Sequence, residues 1–267
     1  MLGDIAKLCS TADGVPQEGV FEVSELKPGL PERLSNVVMA LRQAEVDAGR
    51  TPGAVTLVAV GKTFPIEACE LAYAQGQRVF GENYVQEGVE KIQAFRVMHP
   101  EDPGEWHFIG PLQANKTRLV AEHFDWVQSV DRLRIAGRLS AQRPLEMPPL
   151  NILIEVNIDG ESTKSGVALD DVEAFAAEIA HLPQLKLRGL MAIPAPQETS
   201  EARRRPLAVL HTLFEKLRKT YPEMDTLSMG MSADLKEAVL EGSTMVRVGR
   251  AIFGPRDYSS ACQSSLS

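Results

Sequence analysis

From residue 31 onward the chain alternates short apolar runs with longer stretches in which apolar residues return every three or four positions. Pro31 suits the first turn of a helix, Leu34, Val37, Val38 and Leu41 share one helical face, and Gly49 supplies a stop. The next run, 55–60, carries β-branched residues and no polar alternation, as a strand covered on both faces does. Seven similar runs follow, at 78–80, 106–109, 126–129, 151–158, 186–193, 226–229 and 245–248. Helical spacing separates them, over 65–75, 83–95, 115–123, 131–142 with Asp131 as a cap, 170–181, 202–221 and 233–241. Parallel neighbours require a crossover, so strand–helix alternation predicts a parallel sheet. Eight such units predict an α/β protein built as a single (β/α)8 barrel with an extra N-terminal helix. A doubly wound open sheet is the competitor. Its dinucleotide-binding form lacks support, because no GxGxxG follows the first strand.

The first 29 residues mix glycine, proline and acids with little apolar periodicity, which predicts a flexible extension. The barrel is expected over 30–258, with a tail over 259–267 and no second domain. The 267 residues are 44% hydrophobic and 24% charged, values of an ordinary globular protein. No apolar run reaches the length of a membrane span. Lys plus Arg number 28 against 36 Asp plus Glu, a net charge of −8, which disfavours nucleic acid and anionic lipid as partners. The three cysteines, Cys9, Cys69 and Cys262, form no CxxC, so neither a disulfide framework nor a cysteine zinc site is expected. The five histidines form no HExxH. With no basic n-region ahead of an apolar segment at the start, a cytoplasmic setting is expected.

In a parallel barrel, function sits at the C-terminal ends of the strands. Lys62 directly follows the first apolar run. An apolar stem would partly desolvate its amine and make it a better nucleophile toward carbonyls, although a snorkelling lysine fits the same spacing. At the ends of the last two strands, Ser228, Ser232, Gly249, Arg247 and Arg250 offer hydroxyls, close backbone approach and positive charge, the means by which such barrels hold a phosphate. They also suit ordinary turns. An amine on the first strand and a phosphate cradle on the last two point together to a phosphorylated aldehyde, with pyridoxal phosphate the foremost candidate. Other patterns carry less. Gly230 to Asp234 departs from GxSxG in its last residue, 160–166 lacks P-loop order and reads as a polar loop over the mouth, and Arg203, Arg204 and Arg205 read as a solvated surface run.

Several ordered motifs go further: VAVGKT at 58–63, FGENYVQEGVEKI at 80–92, WHFIGPLQANKTRLV at 106–120, KSGV at 164–167, RGLMAIPAP at 188–196, LSMGMSADL at 227–235 and STMVRVGRAIFGPRDY at 243–258. Over about residues 31–258 the chain resembles the YggS/PROSC family of pyridoxal-phosphate homeostasis proteins, in its bacterial branch. The resemblance implies a barrel like the N-terminal domain of alanine racemase, with pyridoxal 5'-phosphate held on Lys62 as a covalent aldimine. It implies Asn83 beside the cofactor, Ser228, Ser232, Gly249 and the backbone of Arg250 on the phosphate, and Arg247 facing the pyridine nitrogen. Two positions depart from the family pattern: Gly61 replaces a serine and Arg250 a small hydroxyl residue. The expected function is intracellular buffering or delivery of pyridoxal phosphate, with release when an incoming amine displaces Lys62 and with effects on amino-acid pools. No metal and no efficient turnover are expected. A monomer is implied, with amino acids and apoenzymes that need the cofactor as partners. The alternative is a pyridoxal-phosphate-dependent amino-acid racemase.

Overall fold

The computed structural model describes residues 29–161 and 163–255. The expected extension, apart from Gly29, and the tail over 259–267 lie outside the described residues. The first strand, β1 (Thr56–Val60), pairs in parallel with β2 (Val79–Glu82), and β2 with β3 (Glu105–Phe108). The series continues through β4 (Trp126–Val130), β5 (Leu150–Asn157), β7 (Leu185–Met191), β8 (Thr226–Ser228) and β9 (Met245–Val248). β9 then returns to β1, with Val58 opposite Arg247, so eight parallel strands close into a barrel without an edge. This is the expected (β/α)8 barrel, with the expected extra helix α1 (Leu30–Asp47) ahead of it.

The outer ring comprises α2 (Ile66–Ala74), α3 (Val85–Met98), α4 (Thr117–His123), α5 (Leu133–Gln142), α6 (Val172–Ile179), α7 (Ser200–Arg218) and α8 (Leu235–Leu240). The core lies in two layers. The larger one is sandwiched between strands and helices and includes Leu41, Phe80, Phe95, Trp106, Leu139, Leu210 and Val246. A separate small cluster of Trp126, Leu153 and Met191 accompanies buried polar side chains in the strands.

Two short elements escaped the sequence reading. β6 (Val167–Ala168) leans on β5, and α9 (Arg250–Phe253) follows β9. Elements of two and four residues are too short to show a period. The Asp131 cap is corrected: α5 starts after Arg132, whose guanidinium is instead the partner of Asp131 at 2.8 Å. The extra helix has a clear task. α1 packs against α8 and α9, and its Arg33 donates to the carbonyls of Ile252 at 2.7 Å and Phe253 at 3.2 Å. It thereby ties down the turn that follows β9.

Candidate functional site

The loop after β1 carries Lys62, which is half-buried as its position predicts. The loop is clamped from several sides. Gly61 N–H donates to the Gly81 carbonyl at 3.0 Å, and Phe64 N–H to the Gly61 carbonyl at 3.1 Å. Thr63 N–H donates to Glu87 at 2.6 Å, and the Lys91 ammonium to the Gly61 carbonyl at 2.9 Å. Thr63 adopts φ 66°, a region a β-branched residue enters only when its surroundings hold it there. The ring of Phe64 stacks on Phe253 at 5.3 Å, bringing this loop against the end of α9.

Under the loop lies a charged cluster that the sequence reading missed. Lys91 donates to Glu82 and to Glu87, each at 2.7 Å. Burial, the largest influence, pushes the Glu82 carboxyl up to about 7 against the opposing pull of Lys91. Burial works to lower Lys91, and the facing carboxylates outweigh it and hold its pKa above the ordinary value. Glu82 Oε2 is buried with no hydrogen-bond partner among the described residues. Cys69 sits in the same cluster, its thiol pushed up to about 12 by burial and so inert. A Cβ on Gly61 would lie 2.8 Å from Cys69 Sγ and 3.2 Å from Glu82. The departure from serine at 61 is thus matched by the sulfur packed behind it.

Arg247 occupies β9 beside β1 and is buried. Its guanidinium donates to Ser228 Oγ at 2.5 Å and to the Ala192 carbonyl at 3.0 Å. Burial pulls its pKa down to about 10, so it stays charged at neutral pH. Ser228 is equally buried and donates onward to Gln128 at 2.6 Å. That hydroxyl is therefore engaged in the barrel interior with Arg247, which differs from the phosphate contact the resemblance implied for it. Glu155, on β5, is a further site carboxylate that the apolar count concealed. Burial and the nearby Asp131 raise it to about 7, with Arg247 opposing.

Ser232 and Arg250 are exposed at the mouth, and Gly249 is half-buried between them and the barrel. A Cβ on Gly249 would stand 3.1 Å from the Val60 carbonyl, so glycine lets β9 come close to the end of β1. Asn83 follows β2, and a Cβ on Gly110 would overlap its carbonyl at 2.4 Å. Asn83 Oδ1 and, at the end of β5, Asn157 Oδ1 are buried and unpartnered among the described residues. Unspent buried acceptors, a half-buried amine, an interior guanidinium and glycine-lined approaches match the groups of pyridoxal phosphate: an aldehyde, a ring nitrogen and a dianion. The residues present fit that group. Among the described residues no cluster of His, Cys, Asp or Glu could hold a metal ion.

The other sequence candidates stand apart. Arg203, Arg204 and Arg205 pair with Glu237, Glu241 and Glu201 on the outer surface. Lys164 pairs with Asp159 and Glu161, and Lys116 donates to Gln86. No helix among the described residues is long and apolar enough to cross a membrane.

Comparison with known proteins places this geometry. The model of the alanine racemase N-terminal domain matches residues 40–257. A pyridoxal phosphate homeostasis protein of Vibrio alginolyticus is 53% identical over 230 residues, 86% of this chain and 99% of its own. Its counterpart in Escherichia coli K12 is 52% identical over 230 residues, covering 86% and 98%. Among solved structures, PipY of Synechococcus elongatus PCC7942 with PLP bound superposes with a TM-score of 0.72 at 36% identity, over 84% of this chain and all of that one. Alanine racemase from Corynebacterium glutamicum shares the fold, with a TM-score of 0.62 at 15% identity over 85% of this chain and 62% of its own.

Proposed function

The chain belongs to the pyridoxal phosphate homeostasis proteins, and from that premise we propose that it is a cytoplasmic, monomeric carrier that buffers or delivers pyridoxal 5'-phosphate and so influences amino-acid pools. The observation that carries this reading is the convergence at one barrel mouth of half-buried Lys62 after β1 and charged, buried Arg247 on adjoining β9. Pyridoxal phosphate supplies an aldehyde that captures amines and a ring that withdraws electrons.

The chain's residues divide the labour. The Lys62 amine would hold the cofactor covalently, helped by its partial desolvation. Asn83, just after β2, would present its unspent acceptor to the cofactor. Ser232, Gly249 and the backbone of Arg250 receive the phosphate at the exposed rim. Arg247, a group that only donates, would face the ring nitrogen. A guanidinium in that place keeps the nitrogen unprotonated and holds the ring short of its full electron-withdrawing power. Holding an amine-reactive group while weakening its ring suits storage and hand-over to amino acids or to apoenzymes better than rapid turnover.

Titration with pyridoxal phosphate, followed by visible absorbance, tests the assignment. The wild type should develop a lysine-bound band, Lys62→Ala should lose it with an unchanged far-UV circular dichroism spectrum, and pyridoxal without phosphate should bind more weakly. A full band in Lys62→Ala overturns the proposal.

A further inference from the structure

The barrel interior holds one continuous hydrogen-bonded series. His107 Nε2 stands 2.8 Å from Glu105 Oε1, and His107 Nδ1 stands 2.8 Å from Gln128 Nε2. Gln128 Oε1 receives Ser228 Oγ at 2.6 Å, and Ser228 Oγ receives Arg247 Nη1 at 2.5 Å. His107, Gln128 and Ser228 are wholly buried and Arg247 is 4% exposed, so solvent does not substitute for the bonds between them; only the Glu105 end of the series, 43% exposed, meets solvent. The second Gln128 amide proton is directed to Met245 Sδ at 3.1 Å. The His107 ring lies parallel to Trp126, with centroids 5.0 Å apart.

The two ends fix the direction of every bond between them. A guanidinium only donates, so Ser228 Oγ must accept from Arg247 and send its single proton to Gln128 Oε1. That sets the amide, whose nitrogen then donates to His107 Nδ1. His107 must carry its proton on Nε2 and donate to Glu105. The far end demands the same order, because an ionised carboxylate only accepts. Burial, the largest single influence, works to raise Glu105, but the bond from His107 together with the nearby Arg188 and other lowering contacts outweighs it and holds the carboxyl below its ordinary value. Reversing the Gln128 amide would set its oxygen against the Nδ1 lone pair of His107 and leave the Ser228 proton with no acceptor. A buried series with one allowed polarity is rigid, since each unmade bond carries a full desolvation cost.

We propose that Gln128 is a positioning residue: by anchoring the Ser228 hydroxyl it locks the Arg247 guanidinium in the single orientation in which it meets the cofactor ring nitrogen. The role toward the cofactor rests on the carrier function above. The orientation of Arg247 does not, and it can be measured with no cofactor added. Without the Gln128 oxygen, the Ser228 hydroxyl rotates in search of another acceptor and competes for the position that Arg247 holds.

Nuclear magnetic resonance of protein carrying 15N-labelled arginine and histidine tests this. In the wild type the Arg247 Nη protons should give separate, slowly exchanging signals, and His107 should show a neutral ring protonated on Nε2. Gln128→Met removes both amide contacts at similar volume, and the Arg247 signals should average. In the same variant, pyridoxal phosphate should bind about tenfold more weakly, the equivalent of one lost bond to a charged group. Gln128→Glu retains an acceptor for Ser228 but sets an oxygen against His107 Nδ1. It should keep the resolved Arg247 signals and place a second proton on His107, a pattern that a merely space-filling residue would not produce. Resolved Arg247 signals and wild-type affinity in Gln128→Met overturn the proposal, as does a His107 proton on Nδ1 in the wild type. If Arg247 depends on Gln128 while no variant, the wild type included, takes up pyridoxal phosphate, the positioning stands and the carrier function falls.

Discussion

Lys91→Met isolates the cluster beneath the Lys62 loop. The Lys91 side chain is 6% exposed and that of Glu82 wholly buried, and 2.7 Å separates the charges. The second oxygen of Glu82 has no partner among the described residues, so the ammonium is its main compensation. Removing one member of a buried pair costs about 3–5 kcal/mol, because the remaining charge stays desolvated. For a barrel of this size about 3 kcal/mol lowers Tm by roughly 6–12 °C. The loss should depend on pH in a defined direction. The Glu82 carboxyl, ordinarily at 4.5, stands near 7 in the folded chain. Between those values the native state binds more protons than the unfolded state, so Glu82 costs stability as pH rises through the window. Without Lys91 its pKa rises further. Thermal unfolding followed by circular dichroism should therefore show a large deficit for Lys91→Met at pH 8 and a smaller one at pH 5.5. Adding Glu82→Gln should restore most of the loss at pH 8. A deficit equal at both pH values, or no recovery in the double variant, would refute the reasoning.

Three other outcomes follow from the same geometry. Gly61→Ser sets a Cβ 2.8 Å from Cys69 Sγ and should cost about 1–3 kcal/mol in chemical denaturation; Cys69→Ala should recover it, and no recovery would place the strain elsewhere. Arg33→Ala removes two bonds from α1 to the carbonyls of α9; it should cost about 1–3 kcal/mol and weaken phosphate-dependent affinity, whereas unchanged affinity for pyridoxal phosphate would show that α1 does not support the phosphate turn. Incubation with single L-amino acids in deuterated water should give little α-deuterium exchange, and rapid exchange with accumulation of the D-isomer would favour the racemase alternative.

The barrel was readable in the sequence because its strands are near-continuous apolar runs and its helices keep a 3.6-residue period. The mouth followed from topology alone, since parallel strands put their C-terminal ends together, and this placed Lys62, Asn83, Ser232 and Gly249 on one rim. What stayed hidden depends on contacts between distant positions. Glu82 ends β2 and Lys91 lies on α3, nine residues on, and no sequence pattern links them, yet the fold buries them against each other. Ser228 read as a mouth hydroxyl, but its strand turns it inward to Arg247. Gln128 and His107 lie within apolar runs where a single polar residue carries no period, so only the closed barrel shows that they form a series. The match between Gly61 and Cys69 is likewise a matter of packing across β1 and α2.

The most direct measurement traps the bond to the cofactor. Borohydride reduction of the protein saturated with pyridoxal phosphate, followed by peptide mass mapping, should put about one pyridoxyl phosphate per chain on the peptide containing Lys62. An unmodified Lys62, with the added mass on Lys116, Lys164 or nowhere, would contradict the account.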